Sequence, residues 1–358
     1  MTRQRLARRI GGVAFSVGLV LVSLEAALRL APGLIGGRLA NAVYSAYGPA
    51  GIYFRDREVQ MNFMWPNFVT RAYWNGYWWQ HRTDAGGFRN PPELTAKSLV
   101  LLGDSLIYGH GVEEEDTAAH LLRAQHGRPA YNMGRQGDCL FQQYVLSRLD
   151  LPRLRPETVV LFVFVNDFRD LEVYRAPAQI ADPPELERID YDALRARVEH
   201  PEPPFRLGEQ LSRLRVWRLG SGIAELLRAR PKPADEVHEL MAPIFEDARF
   251  VPIARYYRLV LADLARRSRD QGAEFVVVLL ELPDEVVANA TAAQERLRGL
   301  LDEIGAKDGF RVLGTREIFR DCADCFLPHD GHLSREGHRR LAAFVDAQIP
   351  PRAAPPTP

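Results

Sequence analysis

The sequence of 358 residues predicts an α/β protein built on a parallel sheet with helices on both faces. Short apolar runs that end in turn residues, such as 98–102 before Gly103-Asp104, are typical of buried strands. Segments of helical length alternate with these runs, and this alternation is typical of a parallel sheet covered on both sides. An apolar N-terminal segment and an aromatic-rich stretch precede the series and are predicted to be additions to it.

The alternating series extends from residue 97 to residue 349. Strands are predicted at 98–102, 130–133, 158–165, 274–281 and 310–313. Helices are predicted at 117–125, 139–149, 253–269, 290–304 and 335–347, the last with Ser334 as its N-cap. The order is interrupted at about 175–252, a segment rich in proline and charge. We expect an insertion or lid there, with one amphipathic helix at 208–227.

The first 36 residues predict a membrane anchor. Four arginines between positions 3 and 9 precede an uncharged run at 10–24, and apolar residues continue to Leu30. Glu25 and Arg29 can pair on one helix face, and a helix of about 31 Å can span a bilayer. No clear cleavage site follows, which favours an uncleaved signal anchor over a signal peptide. The basic flank is expected in the cytoplasm and the rest outside, in a periplasm if the source is bacterial.

Residues 37–96 form a predicted aromatic-rich extension that packs on the core. Tryptophan and tyrosine residues bracket Asn75-Gly76, and this pattern is a strong indication of a β-hairpin. The rings could stack on sugars, but we favour the interpretation that they pack the hairpin against the main domain. The final segment, 350–358, is proline-rich and predicted to be disordered.

Composition excludes some classes of partner. Forty-six basic residues balance forty-six acidic ones, which argues against a nucleic-acid partner. The sequence has no metal-ligand cluster, and neither metal nor cofactor is expected. Cys322 and Cys325 lack the second pair that a structural zinc site needs, so they are either a small loop disulfide or free thiols. The oligomeric state is left open.

Four places near predicted strand ends carry candidate chemistry. Ser105 follows the first strand, and a serine hydroxyl needs a base to become a nucleophile. His332 is the best candidate for that base, and Asp330 can accept its Nδ1 proton and fix the tautomer. Gly137 and Asn166 follow the second and third strands, where their N–H groups, with the Ser105 amide, can form an oxyanion hole. Each feature alone is also explained as a turn or a helix cap.

Together these features resemble the SGNH (GDSL) hydrolase family. The resemblance covers about 97–349 and rests on Gly-Asp-Ser-Leu at 103–106, the glycine at 137, Asn-Asp at 166–167, and Asp330 with His332. It implies a three-layer α/β/α flavodoxin-like domain that hydrolyses esters without metal or cofactor. It also implies that Ser105 is the nucleophile, His332 the base and Asp330 the orienting acid, with Gly137 and Asn166 in the oxyanion hole.

The sequence departs from the family pattern in two places. Phe164 stands where the family has a glycine before its Asn-Asp pair, and the usual Asp-x-x-His is shortened to Asp330-Gly331-His332. The shorter spacing is similar to that of some extracytoplasmic acetyl-transfer relatives, so Asp330 keeps its assignment. His329 and His338 remain alternatives.

The resemblance implies a serine esterase that forms an acyl-enzyme. The long leader is similar to membrane-attached bacterial relatives acting on acylated cell-envelope polysaccharides, so we expect O-acetyl esters on an envelope glycan, or a small acyl ester, as substrate. Two alternatives stay open. One is an O-acyltransferase that uses the same three residues, and the other is an inactive membrane-tethered glycan-binding or assembly protein.

Overall fold

The computed structural model describes residues 3–47, 51–94, 97–201, 207–228, 236–287 and 290–351. The strands in these residues are β1 (Tyr53–Asp56), β2 (Met61–Met64), β3 (Val69–Trp74), β4 (Tyr77–Arg82), β5 (Leu99–Leu102), β6 (Ala130–Asn132), β7 (Thr158–Val163), β8 (Glu274–Leu279) and β9 (Arg311–Gly314). Residues 352–358 of the tail predicted to be disordered lie outside the described residues.

The helices fall into an N-terminal pair, the main series and an inserted group. They are α1 (Arg3–Leu30), α2 (Gly37–Tyr44), α3 (Ser105–Tyr108), α4 (Ala118–His126), α5 (Leu140–Leu154), α6 (Asp167–Tyr174), α7 (Pro177–Ala181), α8 (Pro184–Glu187), α9 (Tyr191–Glu199), α10 (Leu207–Leu211), α11 (Arg215–Arg228), α12 (Glu236–Phe245), α13 (Asp247–Asp270), α14 (Ala290–Asp308), α15 (Arg316–Phe319) and α16 (Arg335–Gln348). Short 3₁₀ helices lie at Pro32–Leu34, Glu114–Asp116 and Ala323–Cys325.

Strands β5 to β9 form a parallel five-stranded sheet in the order β6-β5-β7-β8-β9. This order is the flavodoxin-like one, and ligands of such sheets bind beyond the carboxyl ends of the strands. Every residue of β5 and β7 is buried, as expected for strands covered on both faces. Helices α4 and α16 pack together, while α13 packs with α5 and α14. The predicted α/β fold is confirmed.

Most predicted elements lie within a few residues of the observed ones, and Ser334 caps α16 by accepting from the Glu336 and Gly337 amides. Strand β7 is shorter than predicted because the apolar run continues through buried Phe164 and Val165 into the following turn. Helix α13 begins six residues before its predicted start, since Pro252 lies inside the helix rather than before it.

The insertion differs most from its prediction. The single helix expected at 208–227 is divided into α10 and α11 by a turn at 212–214. Helices α7, α8, α9 and α12 were not predicted. Proline stands at the first position of both α7 and α8, where it is compatible with a helix although in a sequence it is more typical of a loop. Contacts with α5, α6 and α13 support these short helices.

The N-terminal helix ends against the domain. Its segment Arg8–Leu30, 23 residues, is long and apolar enough to cross a membrane by length and composition, a property shared with signal sequences. Arg29 pairs with Glu25 at 2.6 Å, as predicted. Leu28 is buried, and its carbonyl accepts a hydrogen bond from Tyr44 Oη at 3.0 Å. The last turns of α1 therefore contact the folded domain.

The predicted hairpin is present as β3 and β4, with Asn75-Gly76 as the two-residue turn. Trp79 is fully buried, and its indole N–H donates to Tyr108 Oη at 3.1 Å. Trp79 thus packs the hairpin on the main domain, whereas Tyr73 and Trp78 pack against Tyr44 of α2. A second hairpin, β1 with β2, was not predicted. The domain boundaries at 36, 96 and 349 stay predictions.

Candidate active site

Ser105 opens the short helix α3, which follows strand β5 after Gly103 and Asp104. Gly103 makes this sharp turn possible, because a Cβ there would lie 2.4 Å from Ile107 Cγ1. The Asp104 carboxylate accepts a hydrogen bond from the Leu106 amide at 2.9 Å and fixes the first turn. The serine side chain consequently lies at the carboxyl edge of the sheet.

His332 and Asp330 lie beside Ser105, although 227 positions separate Ser105 from His332 in the chain. His332 Nε2 is 2.8 Å from Ser105 Oγ, and His332 Nδ1 hydrogen-bonds to Asp330 Oδ1. Gly331 has a φ of +79°, a left-handed conformation that lets the aspartate fold back onto the ring two residues later. The structure therefore brings the three predicted residues into one hydrogen-bonded relay.

The Asp330 carboxylate is held ionised by its neighbours. Its side chain is 1% exposed, and burial alone would raise its pKa. Hydrogen bonds from His332 and from Asn75 outweigh that effect, so the pKa of Asp330 is lowered. An ionised carboxylate at this position keeps the proton on Nδ1 of His332 and leaves Nε2 free to accept one from Ser105.

Asn75 is a functional candidate that the sequence analysis treated only as a turn residue. Its Nδ2 donates to Asp330 Oδ2 at 2.7 Å. Asn41, on α2, holds Asn75 in turn. The Asn41 amide group donates to Asn75 Oδ1 at 2.6 Å, and Asn41 Oδ1 accepts from the Asn75 backbone N–H at 2.8 Å. The hairpin tip therefore fixes the second oxygen of the aspartate.

We predict that Asn75→Ala lowers kcat about tenfold with little change in KM, because a hydrogen bond to a charged group contributes about 1.5 kcal/mol. Steady-state hydrolysis of a p-nitrophenyl ester measures both constants. Asn67→Ala is the matched control, since Asn67 is another exposed asparagine with positive φ in a turn and lies before β3, at the other end of that strand from Asn75. Equal kcat values for the two variants would contradict a positioning role for Asn75.

His110 is a second residue that the sequence did not single out. Its ring stacks on that of His332, with centroids 4.1 Å apart and an angle of 22° between the planes. His110 Nδ1 lies 2.8 Å from Tyr47 Oη. Burial, followed by the proximity of His332, lowers the pKa of His110 to about 2. A neutral His110 supports the His332 ring without placing a second positive charge beside it.

The predicted oxyanion donors are placed differently. Asn166 lines the same cavity as Ser105, and its Nδ2 donates one hydrogen to Asp170 Oδ2 at 2.9 Å, which leaves the second amide hydrogen available. Gly137 has a φ of +71° and lies in the loop after β6, near Tyr174 Oη. It is not among the cavity-lining residues of the described chain. An oxyanion role for either residue stays a prediction.

Phe164 and Asp167 both lie after the end of β7. Asp167 Oδ2 accepts from the Phe164 amide at 3.2 Å and so closes the turn after β7. Burial, followed by the nearby Asp104 carboxylate, raises the pKa of Asp167 well above its usual value. Phe164 lines the cavity, so the residue that replaces the family's glycine contributes apolar surface beside Ser105.

The alternative histidines do not take the place of His332. His338 is fully buried where α16 meets α4, and its Nδ1 accepts from the Ala118 amide at 3.3 Å. Burial lowers the pKa of His338 to about 3, so it is a neutral core residue. His329 lines the cavity, but the ring nitrogen within hydrogen-bond distance of Ser105 Oγ belongs to His332.

A cavity of about 1060 Å³ opens beside Ser105. Much of its wall is apolar, and the apolar side chains include Leu240, Leu282, Val286, Phe319, Phe326 and Leu327. Leu240 belongs to α12, so part of the insertion lines the cavity. Cys322 also lines the cavity. It forms a disulfide with Cys325, whereas the sequence alone left open whether these two cysteines are paired or free.

Comparison with known proteins gives one family match and several structural similarities. Residues 101–340 match the model of the GDSL-like Lipase/Acylhydrolase family. Among solved structures, similarity extends to a G-D-S-L family protein from Desulfitobacterium hafniense, with a TM-score of 0.41 and 10% identity over 71% of this chain and 100% of the other. TesA has a TM-score of 0.40 and 16% identity, over 71% of this chain and 98% of the other. An acetylxylan esterase from Geobacillus stearothermophilus has a TM-score of 0.39 and 12% identity, over 72% of this chain and 97% of the other. No curated protein matches the sequence at a significant level.

The family match spans well over half of the chain, so this protein belongs to the GDSL-like lipase/acylhydrolase family. It is accordingly a carboxylic ester hydrolase. The resemblance proposed from the sequence is confirmed at the level of family and fold.

Proposed function

We propose that this protein cleaves acyl esters through a covalent intermediate on Ser105. The observation that supports this most directly is the 2.8 Å contact between Ser105 Oγ and His332 Nε2, with Asp330 on the other ring nitrogen. Ser105 Oγ attacks the acyl carbon while His332 takes its proton. His332 then returns that proton to the departing alcohol, and water releases the acid by the reverse sequence.

In the same proposal, three N–H groups stabilise the negative oxygen of the tetrahedral intermediate. They are the Ser105 amide, the Gly137 amide and the second amide hydrogen of Asn166. Donors fixed by the protein before reaction stabilise developing charge more than solvent does. Support for Asn166 comes from its place in the cavity wall with Ser105. Gly137 would have to direct its amide toward the ester when substrate is bound.

We infer that the cavity receives the acyl group. Its volume of about 1060 Å³ exceeds the needs of an acetyl group, so chains longer than the predicted O-acetyl group fall within the proposal. The alcohol side is expected to be an envelope glycan or a small molecule. Product analysis with a donor ester and an acceptor glycan separates hydrolysis, which gives free acid, from acyl transfer, which gives an acylated sugar.

We predict that Leu240→Trp lowers kcat/KM for p-nitrophenyl octanoate more than for p-nitrophenyl acetate. The larger ring would fill space near the apolar wall and exclude the longer chain, with a difference of about tenfold for one blocked contact of 1–3 kcal/mol. Leu259→Trp on α13 is the control, because Leu259 is 40% exposed and does not line the cavity. An unchanged octanoate-to-acetate ratio in Leu240→Trp would place the acyl chain elsewhere.

We also propose that α1 is retained as a membrane anchor with the hydrolase domain outside the cytoplasm. Cleavage as a signal peptide would remove Leu28 from its buried site and its hydrogen bond with Tyr44. The Cys322–Cys325 disulfide is consistent with an oxidising compartment. The mass of the mature protein extracted from membranes tests retention of α1.

A further inference from the structure

Helix α11 carries an apolar face that is largely exposed. Its apolar positions recur at a spacing of three, four and three residues, which places them on one side of the helix. They are Trp217, Gly220, Ala224 and Leu227. Trp217 is 48% exposed and Leu227 is 83% exposed, and Ile223 beside them is 43% exposed. Exposed apolar side chains grouped in this way indicate a surface that meets something other than water.

The opposite face of α11 fixes the helix to the domain. Gly222 is buried against α2, where an added Cβ would come within 2.6 Å of Ala42 Cβ. The Arg215 guanidinium donates to the Val43 carbonyl at 2.6 Å, and that of Arg218 donates to the Ser45 carbonyl at 2.7 Å. The apolar face is therefore presented by a firmly packed helix.

The start of α11 is joined to the last turns of the apolar helix α1. Glu25 Oε2 accepts a hydrogen bond from the Val216 amide at 2.9 Å, and so acts as a cap for α11. Arg29 Nη2 donates to the Arg213 carbonyl at 3.2 Å. If α1 spans a bilayer, these contacts place α11 at the level where the span leaves it.

We propose that α11 lies in the lipid–water interface of the membrane that α1 crosses, with Trp217, Ile223 and Leu227 among the outer acyl chains. This inference depends on the membrane anchoring proposed above. Tryptophan is enriched at membrane interfaces, and an amphipathic helix with arginines beside its apolar face is typical of interfacial binding. Arg213 and Arg228 are both exposed at the ends of this surface, where lipid phosphates can pair with them.

Docking of α11 would fix the orientation of the active site relative to the bilayer. Helix α11 packs on α2, α2 carries Asn41, and Asn41 holds the hairpin tip that binds Asp330 through Asn75. A domain held at two points, the span and the interfacial helix, cannot swing freely. Its substrates would then be esters held close to the membrane surface.

The test uses the full-length chain in vesicles of phosphatidylcholine and phosphatidylglycerol. Leu227→Cys is labelled with an environment-sensitive fluorophore, and quenching by lipids that carry a spin label near the headgroup is measured. Cys139 is buried and the other two cysteines are paired, so the new thiol is the one labelled. We expect quenching of about half of the fluorescence at position 227, because an interfacial residue lies at the depth of the spin label.

Two further labelled variants separate the possible outcomes. Lys307→Cys, at the exposed end of α14 near the amino ends of the strands, should not be quenched. Val17→Cys, within α1, should be quenched by lipids labelled deep in the chain. Quenching at 17 without quenching at 227 would overturn the docking of α11 and leave the anchor intact. Absence of quenching at both position 17 and position 227 would overturn the anchor. If the unlabelled Leu227→Cys variant forms disulfide-linked dimers and the labelled one is not quenched by lipid, the apolar face binds a second copy of the chain instead.

Discussion

Ser105→Ala is expected to lower kcat for p-nitrophenyl esters by about 10⁴-fold or more, since removal of a nucleophile from a serine–histidine–aspartate relay has effects of that order. The substitution removes one oxygen from a site in which Asp104, Asn166 and His332 keep their other contacts. The melting temperature should change little. Ester hydrolysis followed by absorbance, together with thermal unfolding, measures both quantities.

Ser334→Ala is the matched control for this variant. Ser334 caps α16 through its hydroxyl, so its loss should cost about 1 kcal/mol of stability and leave kcat close to that of the parent. Undiminished activity in Ser105→Ala would refute the assignment of the nucleophile. Failure of the parent protein to react with a fluorophosphonate probe would instead favour the inactive binding protein.

The fold could be predicted because its core strands are short and apolar. Strands β5 and β7 are entirely buried, so nearly every residue in them had to be apolar. The end of β7 was harder to place, because buried Phe164 and Val165 follow it. The insertion lacked such an apolar pattern. Helices α7 and α8 are five and four residues long and depend on neighbours for stability, and no local pattern reports such neighbours.

The residues of the candidate site could be predicted only where they belong to a short sequence motif. Ser105, Asp330 and His332 stand in short recognisable patterns, and the structure brings them together. Asn75 did not stand out, because its partner Asp330 is 255 positions away and an asparagine before glycine is fully explained by the hairpin turn. His110 was missed for a similar reason, since stacking on His332 has no counterpart in the local sequence.

His332→Ala is expected to lower kcat as much as Ser105→Ala does, because the hydroxyl without its base is a weak nucleophile. His110 cannot take over as the base. It stacks on the face of His332 rather than contacting Ser105, and its burial lowers its pKa, which makes it a poor proton acceptor. His329→Ala serves as the control, since His329 lies on the same loop and should leave kcat close to that of the parent.

A variant that lacks both Ser105 and His332 tests their joint action more directly than either single variant. If Ser105 and His332 act as one unit, Ser105→Ala with His332→Ala should lose no more activity than either single variant, because each alone already prevents formation of the acyl-enzyme. If the activity loss of the double variant equals the product of the two single losses, the two side chains act in separate steps. A large loss in His329→Ala together with a small one in His332→Ala would transfer the role of base to His329, and the relay with Asp330 would then be structural.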